Sequence, residues 1–111
     1  AYLPDKEIKR IMQKQHLAAF TSKSITRKEE LMKWLGKVRS QGYVVEVEMA
    51  LDGITGIGAP IFDHTGKVIA ALGVGFITSS VKEKELDRII KEATKTALAI
   101  SKEIGYAGEG R

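Results

Sequence analysis

The stretch from residue 53 to residue 77, GITGIGAPIFDHTGKVIAALGVGFI, decides the fold. Its glycines suit a phosphate-cradling loop, a close approach of backbone to something else, or a weakened strand. Periodicity separates these readings. GITGIGAPIF (53 to 62) and KVIAALGVGFI (67 to 77) are rich in β-branched residues, are bounded by turn residues and change the apolar period from 3.6 to 2, so both are predicted strands. YVVEVEM (43 to 49) is a third, and ALDG and DHTG are the turns between them, with Gly66 in the positive-φ position before the third strand. Connections this short make successive strands antiparallel, because a parallel pair needs a crossover of about a dozen residues. The result is a meander.

Alternate residues of a strand face opposite sides of its sheet. In the second strand Ile54, Gly56, Gly58 and Phe62 share one side, and Ile57, Ala59 and Ile61 share the other. In the third, Ala71, Gly73 and Gly75 lie opposite Val68, Leu72, Val74 and Phe76. A hairpin at DHTG puts the four glycines on one bare face and the bulky residues on the other, under a helix. Glycine inside a strand costs about 0.5–1 kcal/mol, so four on one face require a use. That use is either close docking of a helix or partner subunit, or the floor of a ligand cavity. A phosphate loop fits poorly: GxxGxG is not the dinucleotide fingerprint, no helix begins after it, and GxxxxGK followed by Ser or Thr is absent.

The flanking segments read as helices. Pro4 suits a first helical turn, and Ile8, Ile11, Met12 and Gln15 give a short amphipathic helix that ends before Leu17. After the loop AAFTSKSI, Thr26 and Glu29 carry a capping-box signature, Leu31, Trp34, Leu35 and Val38 form an apolar stripe, and Gly42 closes the helix. Ser80 and Glu83 open the last helix in the same way, and Leu86, Ile89, Ile90, Ala93, Ala97, Ile100 and Ile104 carry it to Gly105. This longest helix is expected to cover the sheet. YAGEGR (106 to 111) has no packing pattern and is expected to fray.

Composition narrows the class. At 111 residues the chain holds one core, and it starts at an alanine on the approach to a helix, as the C-terminal piece of something longer would. A 43% hydrophobic and 29% charged composition excludes disordered and collagen-like chains. No apolar run is long enough for a membrane helix, and the absence of cysteine fits a cytosolic chain without thiolate sites. The net charge of +4 is uneven: residues 1 to 39 hold ten Lys/Arg against four Asp/Glu, whereas residues 40 to 81 hold one against four. In the first helix Lys6, Lys9, Arg10 and Lys14 alternate with Ile8, Ile11 and Met12, the pattern of a solvated amphipathic face rather than a nucleic-acid surface.

Catalytic groups are sparse. His16 and His64, the only histidines, fall near a helix end and in a tight turn, where solvated side chains are expected. Glu46 and Glu48 fall on one side of the first strand and could pair as carboxylates, or simply form the polar face of an edge strand. No Ser/His/Asp order and no metal spacing can be assembled, so neither an enzyme nor a cofactor is expected.

VRSQGYVVEVEMALDGITGIGAPIFDHTGKVIAALGVGFITSS resembles the C-terminal effector-binding domain of the IclR family of bacterial and archaeal transcription regulators. The matching features are VRxxGY leading into a strand, acids with a glycine some five residues on, an AP(V/I)FD turn with GxV, an AAL-type strand, and a closing helix ending in IS..IG. AYLPDKEI and LAAFTSKSIT fit the preceding region of that domain. The resemblance implies a GAF-like α+β fold of order α-α-β-β-β-α, with residues 1 to 105 as the C-terminal part of an effector-binding domain. The family's winged helix-turn-helix domain and the first strands and helix of its effector domain do not appear.

The resemblance also implies a cavity on one sheet face, a homodimer or tetramer, and DNA contact only through the absent N-terminal domain. Its effector contacts carry over to Glu46, Ile54, Gly56, Gly73 and Gly75, in agreement with the bare face reached by parity. The partner is then a small-molecule metabolite, an organic acid or a larger, less polar compound. Family members that bind small carboxylates place hydroxyls where Gly73 and Gly75 stand, which points to the larger or less polar effector. Two other readings stay open: a degenerate sensor serving only as an oligomerisation module, and a small enzyme using Glu46 and Glu48.

Overall fold

A computed structural model describes residues 1–108. The order is α1 (Asp5–Lys14), α2 (Lys28–Gln41), β1 (Val44–Val47), β2 (Ile54–Phe62), β3 (Val68–Ile77), a 3-10 turn (Thr78–Ser80) and α3 (Glu83–Glu103). The three strands form one antiparallel sheet in the order β1-β2-β3, so the α+β meander expected from the short turns is the fold that forms.

The hairpin between β2 and β3 follows from its turn residues. Asp63 is the first residue of a turn closed by the Gly66 N–H donating to the Asp63 carbonyl at 3.0 Å, and its Oδ1 accepts from the Thr65 and Lys67 amides at 2.8 and 3.2 Å. Gly66 takes φ +83, as expected for a residue without Cβ at that corner. The register then sets Gly56 opposite Gly75 and Gly58 opposite Gly73. An irregularity between Ile61 and Phe62 breaks strict alternation at the hairpin end, and both residues are buried.

α3 lies against β2 and β3 on the face opposite the glycines. Ala59 and Ile61 of β2, Ala97 of α3 and half-buried Leu72 of β3 form the centre of the core. Ala93, Ala97 and Ser101, spaced four apart, are the buried stripe of α3, and their small side chains let helix and sheet approach closely. Ile100 and Ile104, expected in that stripe, are exposed instead. Ser101 takes the buried place: its Oγ donates to the Ala97 carbonyl at 2.8 Å and accepts the Phe62 amide at 2.9 Å.

Four local expectations need correction. Neither capping box forms: α2 starts from Arg27 and α3 from Lys82, both without a side-chain cap. The 3-10 turn intervenes before α3 because Thr78 is already pinned, its amide on the Gly53 carbonyl at 2.8 Å and its hydroxyl on Thr55 at 2.7 Å. The first strand ends at Val47 rather than residue 49, because Glu48 turns to φ +53. Pro4 caps α1 from outside rather than occupying its first turn. Finally, Tyr106 is not part of an unpacked tail: its ring stacks on Phe62 at 4.8 Å and its amide donates to the Ser101 carbonyl at 2.9 Å. With the Gly105 amide on the Lys102 carbonyl at 3.1 Å, this closes α3 by a Schellman motif. Residues 109 to 111 of the expected tail lie outside the described residues. Gly42 does close α2 as expected, in the left-handed region at φ +86.

Candidate functional site

The glycine face is hollow. Val44 and Glu46 of β1, Gly56 and Gly58 of β2, and Gly73 and Gly75 of β3 line an open groove of about 360 Å³, with Ile57 and Val74 beneath. Pairing brings these residues together, since Val44 stands opposite Gly58 and Glu46 opposite Gly56. A Cβ at Gly73 or Gly75 would meet nothing within 4 Å, so no packing requirement accounts for glycine there. The two β2 glycines differ: a Cβ at Gly58 would strike Val44 Cγ1 at 2.8 Å, and one at Gly56 would sit 3.2 Å from Glu46 Oε2. The Glu46 carboxylate therefore lies across the floor.

Four of the five residues predicted for the site, Glu46, Gly56, Gly73 and Gly75, line this groove. Ile54 does not; it shares their face two residues beyond Gly56, opposite Ile77 at the end of the sheet. Glu46 and Glu48 do not converge. Past the end of β1, Glu48 accepts the Gly53 amide at 2.6 Å and the Lys23 ammonium at 2.9 Å. These bonds hold its carboxyl below the usual carboxylate range, the Lys23 bond most strongly and the Gly53 amide next. A paired-carboxylate enzyme site has no geometry here.

Glu48 belongs to a latch that the sequence did not reveal. Thr21 Oγ1 donates to the Glu48 carbonyl and Ser24 Oγ to the Met49 carbonyl, each at 2.6 Å, which ties the loop after α1 to the β1–β2 turn. A second hollow adjoins the groove on the same face. This apolar cleft of about 610 Å³ shares Val44 and Gly58 with it and is walled by Tyr2, Trp34, Leu35 and Tyr43. Trp34 was legible as part of an apolar stripe and Tyr43 as the start of the first strand; nothing in their spacing showed that they wall a cleft. His16 and His64 are exposed, and among the described residues no three His, Cys, Asp or Glu side chains cluster as metal ligands. No helix among the described residues is long and apolar enough to cross a membrane.

A meander backed by one long helix, with a hollow and an acid on its other face, defines a small domain of the α+β class. Comparison with known proteins makes the class specific. The chain belongs to the IclR family: the family described as bacterial transcriptional regulator IclR, C-terminal, matches residues 1–102. It is 34% identical to the HTH-type transcriptional regulator KdgR of Escherichia coli K12 over 90% of its own length and 38% of the relative's. With XynR of the same organism it shares 30% identity over 96% of its length and 42% of the relative's. It thus spans about two fifths of these relatives.

Among solved structures, the C-terminal domain of E. coli KdgR superposes with a TM-score of 0.88 at 32% identity, covering 95% of this chain and 64% of that one. The inducer-binding domain of the PobR transcription factor from Acinetobacter, a double mutant in complex with 3-hydroxybenzoic acid, shares the fold. Its TM-score is 0.83 at 24% identity, covering 89% of this chain and 57% of that one.

Proposed function

We propose that residues 1 to 105 act as the ligand-sensing part of an IclR-type transcription regulator of the cytoplasm. A small metabolite rests on the glycine floor, contacted by Glu46, Ile54, Gly56, Gly73 and Gly75. The observation that carries this reading is the open groove: its floor is glycine at two positions where no neighbour forbids a side chain, Gly73 and Gly75. Room kept without a packing reason is room for an occupant. The absence of hydroxyls at both positions favours an effector larger or less polar than a small oxo acid, and the adjoining apolar cleft gives such a ligand space to extend.

Binding would act as a population shift between arrangements of a homodimer or tetramer that differ in DNA affinity, and only to the extent that the effector prefers one of them. DNA contact is assigned to a separate domain of the regulator, as the likeness to HTH-type regulators implies, and the lysines and arginines of α1 are then the solvated side of an amphipathic helix whose Ile8 and Met12 are buried. The test is a thermal-shift screen of metabolites on the intact regulator, followed by Gly73→Ser and Gly75→Ser with each hit. Binding should weaken or change preference; unchanged binding of the same ligand by the double variant refutes the site. A second reading, an oligomerisation module without a ligand, is favoured by Ile69 and Ile77, more than half exposed on the edge strand β3. It predicts that the serine variants alter assembly and leave no ligand response to lose.

A further inference from the structure

The acids around the meander differ in what they have to bond. Glu48 is held by Lys23 and the Gly53 amide, and Asp63 by the Thr65 and Lys67 amides and the Thr65 hydroxyl. Glu46 is half-buried in the groove and makes no hydrogen bond or ion pair among the described residues. Its Oε2 comes within 3.2 Å of the position a Gly56 Cβ would take, so glycine at 56 is what lets the carboxylate lie over the floor. The other lining side chains are those of Val44, Ile57 and Val74, none of which can donate a hydrogen bond or carry positive charge. Lys23 is committed to Glu48 at 2.9 Å. A half-exposed carboxylate with no donor supplied by the side chains around it keeps its acceptor oxygens for water or for a ligand that enters the groove.

We infer, on the reading that the groove is the effector site, that the effector presents a hydrogen-bond donor to Glu46, a hydroxyl or an ammonium group. A carboxylate on the effector is kept from that end of the groove, where it would face Glu46 with no cation between them. Charge-assisted bonds exceed neutral ones in strength, and like charges repel more strongly in a half-buried site than in water. Glu46 therefore selects the head group, while the bare floor along Gly73 and Gly75 accepts the body of the ligand. If the effector is an acid, its carboxylate lies away from Glu46.

Three probes with one ring and different heads test this: benzyl alcohol, benzylamine and benzoate, titrated into the intact regulator while the amide signals of Gly56, Gly73 and Gly75 are followed by NMR. The alcohol and the amine should move these signals and bind about tenfold or more tightly than benzoate, a ratio worth about 1.4 kcal/mol. Glu46→Gln should weaken the amine and strengthen benzoate by similar factors while changing the alcohol little, which separates the ammonium from the hydroxyl source. Glu46→Asp, which keeps the charge but draws it back from Gly56, should preserve the order at reduced ratio and serves as the folded control. If benzoate moves the groove signals at the amine's affinity and Glu46→Gln changes neither, the head-group inference fails and the effector site stands. Groove signals unmoved by all three probes would overturn the site and the inference together.

Discussion

Gly58 and Gly73 face each other across the β2–β3 ladder, yet their replacement by alanine should move stability in opposite directions. At Gly58 the new Cβ would lie 2.8 Å from Val44 Cγ1, and a β-branched neighbour has little freedom to rotate away. Overpacking of this kind costs about 1–3 kcal/mol, against a gain of about 0.5–1 kcal/mol from removing glycine from a strand. The net expectation is a loss of about 1–2 kcal/mol. At Gly73 nothing lies within 4 Å of the new Cβ, so only the gain remains, about 0.5–1 kcal/mol. Urea unfolding reads the difference directly: with a slope of about 1–3 kcal/mol per M, the two midpoints should separate by about 1 M. Gly73→Ala should also weaken any effector that rests on the floor, so that the more stable variant is the poorer sensor. If Gly73→Ala destabilised the protein as much as Gly58→Ala, the β3 glycines would be held by packing against a partner, and the argument from an unforced bare floor would collapse.

Ser101→Ala leaves the buried Phe62 amide without its acceptor and should lower stability by about 1–2 kcal/mol by denaturant unfolding; a change below about 0.5 kcal/mol would mean that the bond to β2 is dispensable. Tyr106→Ala removes the stack on Phe62 and should cost about 1–3 kcal/mol in the same measurement, whereas an unpacked tail would show no loss. The latch at Glu48 gives a pH dependence whose sign is fixed. Its carboxyl is held below the ordinary value of 4.5, chiefly by Lys23 and then by the Gly53 amide, so its contribution is present above that value and drains away as pH falls through the lowered one. Carbon-detected titration of Glu48 should show a midpoint below 4.5 with the Gly53 amide signal moving in step, and Glu48→Gln should abolish that movement; a midpoint at or above 4.5 would deny the latch.

What the sequence revealed was periodic or local. Alternation put the four glycines on one face, but their pairing was not legible: continued unbroken from Phe62 opposite Val68 the register would set Gly58 against Leu72, and the irregularity between Ile61 and Phe62 is what brings Gly56 opposite Gly75 and Gly58 opposite Gly73. Of the five site residues that the family resemblance implied, Glu46, Gly56, Gly73 and Gly75 line one groove and Ile54 lies beyond its end, since parity gives the face of a residue and not how far along the sheet the hollow extends. Polar contacts between distant segments left no trace. Thr21 and Ser24 bond residues beyond β1 that lie 27 and 25 positions away, and Ser101 reaches Phe62 across 39. The two capping boxes failed for a related reason: a cap is worth about 1 kcal/mol, and the segments before α2 and α3 are already tied to the β1–β2 turn and to Thr55 and Gly53.

The separate fates of Glu46 and Glu48 follow from a single backbone angle. Had β1 continued to residue 49, alternation would have set both carboxylates on the glycine face, Glu46 opposite Gly56 and Glu48 opposite Ile54, two like charges side by side. Glu48 instead turns to φ +53, and its side chain closes onto Gly53 and Lys23, so one acid is used to fix the β1–β2 turn. That conformation is uncommon for a residue with Cβ, and the bonds of the latch are what hold it. Its effect on the groove is definite: the turn takes Glu48 out of the strand and leaves Glu46 as the sole charged side chain lining the groove.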